Sequence, residues 1–163
     1  MYSLHCTKKL LDRIKPSIAI LLPPSTTVLG NWYATALFWK PQLALLVNER
    51  TLLPVLMPLT PASTITERFP AELAAALSRH GATQAFIERE VAAMAEVTVA
   101  KTANRSVVGT MNEFSSLAAG YREYLETSNL ASLAMRLAET PCSPIEYNSP
   151  ARVIKEIVSD TVR

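Results

Sequence analysis

Residues 31–59, NWYATALFWKPQLALLVNERTLLPVLMPL, decide the fold class. From Asn31 the pattern has a period of two, with Trp32, Ala34, Ala36 and Phe38 on one face and Tyr33, Thr35, Leu37 and Trp39 on the other. Alternation among aromatic and β-branched side chains favours extended backbone, and apolar residues on both sides predict a strand buried on much of both faces. Lys40, Pro41 and Gln42 then make a turn, residues 43–48 a second strand, residues 49–51 another turn and residues 52–59 a third strand, which together predict an antiparallel meander. Pro54 and Pro58 lack the N–H that a ladder needs, and their spacing of four puts both on the same side of the strand, so that strand is expected at an edge.

Toward the N-terminus, residues 17–30 carry Pro23, Pro24 and the run Ser25, Thr26, Thr27 with no sustained period, and read as a loop. Before it, residues 2–6 read as a short strand, and Thr7 is placed to cap a helix through Ile14 that Pro16 stops. Toward the C-terminus the composition shifts to alanine, glutamate and arginine. Thr66 is placed to cap a helix whose Phe69, Leu73, Ala76 and Leu77 form an apolar stripe ending at Gly81, and Thr83 starts another with Phe86, Ile87, Val91 and Met94 inward and Glu88, Arg89 and Glu90 outward. Residues 97–101 return to strand-like alternation. After Asn104, Val107, Met111, Phe114, Ala118, Tyr121 and Leu125 recur at steps of three and four, the mark of one long amphipathic helix. Leu130, Leu133, Ala134 and Leu137 predict a short helix, residues 141–148 a proline-bounded loop, and Ser149 with Pro150 the start of a last helix. The expected fold is α+β: a mixed, mainly antiparallel sheet of about four or five strands with helices packed largely on one face.

Composition bounds the function classes. A chain of 163 residues, 49% hydrophobic and 18% charged, can bury roughly two-thirds of its extended surface without disulfides or metals. A formal charge of +2 permits a nucleic-acid or phosphate partner without demanding one. Cys6 and Cys142, with His5 and His80 the only histidines, are too few and too dispersed for a disulfide framework or a zinc site. The charged N-terminal segment lacks the core of a signal peptide, and the apolar runs are too short to span a membrane, so a cytoplasmic protein with no membrane partner, no metal and no cofactor is expected.

Two strand-to-helix junctions are the candidate sites. Lys101, Thr102, Asn104, Arg105 and Ser106 join a strand end to the start of the long helix, where free N–H groups and the helix dipole favour an anion. Thr7, Lys8 and Lys9 repeat that arrangement after the first strand; if both strands lie in one sheet and run the same way, the two junctions share one end of it and pool their cations. The competing reading is that Asn104 or Ser106 merely caps the helix while Lys101 and Arg105 are solvated. Gly109 is too isolated to mark a phosphate loop.

Other residues weigh less. Cys6 follows His5, but strand neighbours point to opposite faces, and a buried small thiol is the commoner fate. His80 is the remaining candidate partner for that thiol. Glu113 is a candidate general acid or base, or a solvated helix glutamate. Trp32, Tyr33 and Trp39 would stack bases if exposed, and otherwise fill a core.

The segments CTKKLL at residues 6–11, LLVNE at 45–49 and KTANRSVVGTMNE at 101–113 resemble a prokaryotic family known as a domain of unknown function. The resemblance covers about residues 2–121; the length of the chain predicts one domain, of which residues 1–126 are the family-like core and 127–163 a helical C-terminal extension. The resemblance implies no activity and no site residues. The residues themselves point to a module binding phosphate or nucleic acid, RNA-acting in the enzymatic version, through the two junctions. The alternative is a protein-interaction or regulatory module using the apolar third strand or the Leu130, Leu133, Leu137 stripe.

Overall fold

The computed structural model describes residues 1–125 and 129–162. The strands are β1 (Tyr2–Cys6), β2 (Trp32–Leu37), β3 (Leu43–Asn48), β4 (Pro54–Pro58) and β5 (Val97–Lys101); the helices are α1 (Lys8–Ile14), α2 (Ile65–Arg79), α3 (Gln84–Ala93), α4 (Arg105–Leu125), α5 (Leu130–Leu137) and α6 (Pro150–Val162). The sheet runs β4-β3-β2-β1-β5. β2, β3 and β4 form the antiparallel meander, whereas β1 lies parallel to both β2 and β5. As its prolines imply, β4 is an edge strand.

The period of two sorts side chains into two cores. Tyr2, Leu4, Cys6, Trp32, Ala34, Ala36, Ala44 and Leu46 face one side, where α1, α2, α3 and α6 contribute Leu10, Phe69, Phe86 and Ile154. Tyr33, Leu37, Leu43, Leu45 and Val47 face the other, against Val107, Met111, Phe114 and Ala118 of α4 and Leu133 and Leu137 of α5. The α+β fold thus has helices on both faces, four against one and two against the other. Tyr121 packs on the second core; the side chain of Leu125 and the boundary expected between residues 126 and 127 lie outside the described residues.

Several boundaries differ from expectation for local reasons. A 3-10 turn at Ala62–Thr64 winds directly into α2, so the cap position is Thr64 rather than Thr66. Gly81, at φ +86°, ends α2 as expected, in a left-handed conformation that spares a Cβ. β4 begins only at Pro54 because Leu52 takes a left-handed turn conformation, φ 60°. β2 stops at Leu37, the last residue paired with β3, so Phe38 has no strand neighbour and is 53% exposed.

Glu90 corrects the outward assignment. It is 1% exposed, and its carboxylate accepts from Val28 N–H at 2.9 Å and Leu29 N–H at 3.2 Å. A polar side chain on the inner face of α3 is tolerated because it satisfies two loop donors that would otherwise be buried unpaired.

Candidate functional site

β1 and β5 are parallel neighbours with Cys6 paired to Lys101. Neighbouring strands lie about 4.8 Å apart, so the two junctions leave the same end of the sheet within one screening length of each other. Their helices diverge: α1 packs on one face and α4 on the other. In open sheets with parallel strands, a crevice opens at the carboxyl ends where successive connections turn to opposite faces.

Each candidate residue finds its own role there. Thr7 occupies the cap position of α1, but its side chain makes no capping bond; its hydroxyl instead pairs with that of Thr35 at 2.9 Å. The cap expectation for Thr7 is thereby corrected: Cys6 pairs with Ala34, which brings Thr35 beside Thr7 and supplies a competing partner. Asn104 does cap α4, accepting from Ser106 N–H at 2.9 Å and Val107 N–H at 3.3 Å. Its own N–H donates to the Tyr33 hydroxyl at 2.9 Å. The Ser106 and Val107 donors in the first turn of α4 are therefore taken up by the protein. Ser106 is exposed, and its carbonyl accepts from the Thr110 hydroxyl at 3.1 Å. Thr102 is half-buried beside exposed Lys101.

Lys8, Lys101 and Arg105 are exposed, and their side chains have no hydrogen-bond or ion-pair partner among the described residues. Lys9 Nζ lies 5.9 Å from the centre of the Phe38 ring, and the Arg13 guanidinium 6.0 Å from it. Farther along the same end, Arg122 donates to the Lys40 carbonyl at 2.9 Å and stacks 4.9 Å from the Trp39 ring. Residues 7–13, 38–42 and 101–105 thus bring six cations to this end of the sheet, with Asp12 the one acid among them.

The remaining candidates resolve into structural parts. Cys6 and His5 point to opposite faces, and burial pushes the Cys6 thiol up to about 12, far from a nucleophile's range. His80 is buried at the end of α2; burial, then Arg79 and Lys155, hold it below its usual pKa. Glu113 is exposed and shares a surface depression with Arg136 and Glu139, away from the basic junctions. Trp32 and Tyr33 are core residues. Among the described residues, no cluster of His, Cys, Asp and Glu is assembled for a metal, and no helix is long and apolar enough to cross a membrane. The apolar third strand and the tail stripe cover each other: Leu133 and Leu137 of α5 are buried in one cluster with Leu56 of β4.

His5 is the residue whose place the sequence did not reveal. Its ring stacks on Tyr33, centroids 4.6 Å apart and planes 13° from parallel, and its Nδ1 lies 2.9 Å from the Lys101 carbonyl. Beside it opens a cavity of about 530 Å³ lined by residues of β5, of the turn after it, and of the loop at residues 18–22. The only sequence signal was the aliphatic run at residues 18–22, whose Ile20 is 95% exposed.

The class that the fold defines is an α+β protein with a mixed five-stranded sheet and helices on both faces. Residues 3–153 match a domain-of-unknown-function family, DUF6933, and the chain belongs to that family. The matched span runs past Tyr121 through α5 and into α6. No curated protein and no solved structure matches the chain.

Proposed function

We propose that the protein binds the phosphates of single-stranded nucleic acid at the end of the sheet where β1 and β5 finish. The observation that supports this reading is the pairing of Cys6 with Lys101, from which the two basic junctions, Lys8 and Lys9 after one strand and Lys101 with Arg105 after the other, leave neighbouring strand ends. Three of these cations have no described protein partner, so their charge is available to a ligand. Because Asn104 occupies the Ser106 and Val107 donors of α4, side-chain charge supplies more of the attraction than the helix terminus. The exposed Phe38 ring, flanked by Lys9 and Arg13, supplies the aromatic platform that sequence-tolerant single-strand binding uses.

The test is fluorescence anisotropy of labelled single-stranded RNA and DNA across a salt series. Single-strand binding loses about 0.7 in log-log salt slope per phosphate contact, so a Lys101→Ala, Arg105→Ala double variant should bind more weakly with a slope shallower by about 1.4. Phe38→Ala should weaken binding at every salt concentration. Unchanged affinity in the double variant, or no binding by the parent at low salt, would sink the reading.

A further inference from the structure

We propose that the cavity over His5 holds one nucleoside monophosphate unit, with its base and sugar against His5 and the residue 18–22 loop and its phosphate toward Lys101; this rests on the phosphate-binding reading above. The juxtaposition that assigns it is a histidine lining a partly apolar cavity, one nitrogen fixed and the other without a partner among the described residues, beside cations whose side chains likewise have none among them.

A carbonyl oxygen only accepts, so the 2.9 Å contact with the Lys101 carbonyl puts a proton on His5 Nδ1. In the neutral ring Nε2 is then an acceptor, and it has no partner among the described residues. Stacking on Tyr33 holds the ring plane, and the Tyr33 hydroxyl is itself held by Asn104 N–H. The acceptor is preorganised on two strands. Its neighbour Ala100 pairs with His5 across the ladder and presents only a methyl group, which leaves the space open.

The other wall is aliphatic. Ala19 N–H donates to the Val99 carbonyl at 2.9 Å, tying the loop to the free edge of β5, and Ile18, Ile20 and Leu22 line the cavity. At about 530 Å³ the space falls in the range of small-ligand sites. Inorganic phosphate alone would leave the aliphatic wall wet, and a fatty anion has no donor for Nε2. A nucleoside monophosphate has a flat body for the wall, N–H and O–H donors for His5, and a phosphate for the cations.

The unit comes either as a free nucleotide or as the end of a strand, and the experiment separates the two. Titration of the protein with AMP, UMP, uridine and inorganic phosphate is followed by the His5 ring resonances and by calorimetry. Both monophosphates should bind and shift the His5 ring, with phosphate and uridine each at least about tenfold weaker. Ala100→Leu, which fills the cavity, should weaken AMP about tenfold or more. Ile20→Ser, at an exposed position that leaves the core untouched, should weaken it by a smaller factor if Ala100→Leu disturbs folding. Displacement of AMP by an oligonucleotide with a terminal phosphate, but not by a circular single strand, identifies the strand end; no displacement by either identifies the free nucleotide. Failure of both monophosphates to bind at about 1 mM, equal binding of inorganic phosphate, or AMP affinity unchanged in both variants overturns the cavity assignment. Strand binding that persists in those cases leaves the basic rim intact, whereas AMP binding that is cavity-dependent yet insensitive to Lys101→Ala, Arg105→Ala overturns the placement of the phosphate at Lys101 and with it the nucleoside monophosphate assignment.

Discussion

The hydroxyl of Tyr33 in β2 accepts the main-chain N–H of Asn104 at 2.9 Å, across 71 positions of sequence, and so fastens the start of α4 to the sheet. Tyr33→Phe keeps the ring under His5 and removes only that acceptor, leaving a half-buried N–H unpaired. A loss of about 1–2 kcal/mol is expected, read as a drop of several degrees in Tm by calorimetry. An unchanged Tm would mean that water replaces the hydroxyl at no cost.

Asn48 is a hub. Fully buried, it accepts through Oδ1 from Arg50 N–H, Thr51 N–H and the Thr51 hydroxyl, and donates through Nδ2 to Leu29 and Asn31 carbonyls. It thereby joins the β3–β4 turn to the end of the long loop. Asn48→Ala strands several buried groups at once and should cost about 3 kcal/mol or more in urea unfolding. A cost below about 1 kcal/mol would show that the turn holds without it.

Tyr2 and Ser3 present the opposite case. The Tyr2 hydroxyl and Ser3 Oγ are buried with no hydrogen-bond partner among the described residues. Removing an unsatisfied polar atom while keeping shape recovers its desolvation cost, so Tyr2→Phe and Ser3→Ala should each leave stability unchanged or raise it by about 1 kcal/mol. Marked destabilisation by either, in thermal or urea unfolding, would reveal an unseen partner such as an ordered water.

Glu90 makes stability depend on pH. Burial raises its carboxyl above the ordinary glutamate range, against the opposing pull of the Leu29 and Val28 N–H bonds, Arg89 and the N-terminal ammonium. A carboxyl raised on folding holds its proton more tightly in the native state. Its contribution is full below the unfolded pKa and is lost as pH rises through the folded one. The stability of the parent relative to Glu90→Gln, which cannot titrate, should therefore fall as pH rises from the ordinary glutamate range through the raised folded-state value. A pH-independent difference in urea midpoints would contradict the burial argument.

The two thiols should be inert in the native state. Burial pushes Cys6 to about 12, and burial with Glu113 pushes Cys142 to about 11. Neither is appreciably thiolate near neutral pH, so a disulfide reagent at about pH 8 should titrate both only after denaturant is added. Fast labelling of the folded protein at either position would count against this packing.

Much of the architecture follows from local pattern. The two-residue period of 32–37 specified which side chains of β2 enter which core, and Pro54 and Pro58 specified that β4 lies at the margin. The stripe from Val107 to Tyr121 specified the face α4 buries. These signals are legible because side-chain alternation and helical recurrence act within one element, where the sequence alone sets the geometry. Thr7 shows where such reading ends: its residue type suits a cap, and only the neighbouring strand supplied Thr35 as the better partner. Glu90 departs from its local pattern for the same reason, since the loop donors it satisfies lie about sixty positions away.

The candidate site divides along the same line. Sequence by itself determined that two basic β-to-α junctions exist, and that Cys6 and His5 point apart. Only the tertiary structure decided that β1 and β5 are parallel neighbours, that Asn104 spends the helix donors on itself, and that His5 meets Tyr33, Lys101 and the aliphatic loop around one cavity. The physical reason is that strand order and loop placement are settled by burying two cores at once, a condition on the whole chain that no short segment contains.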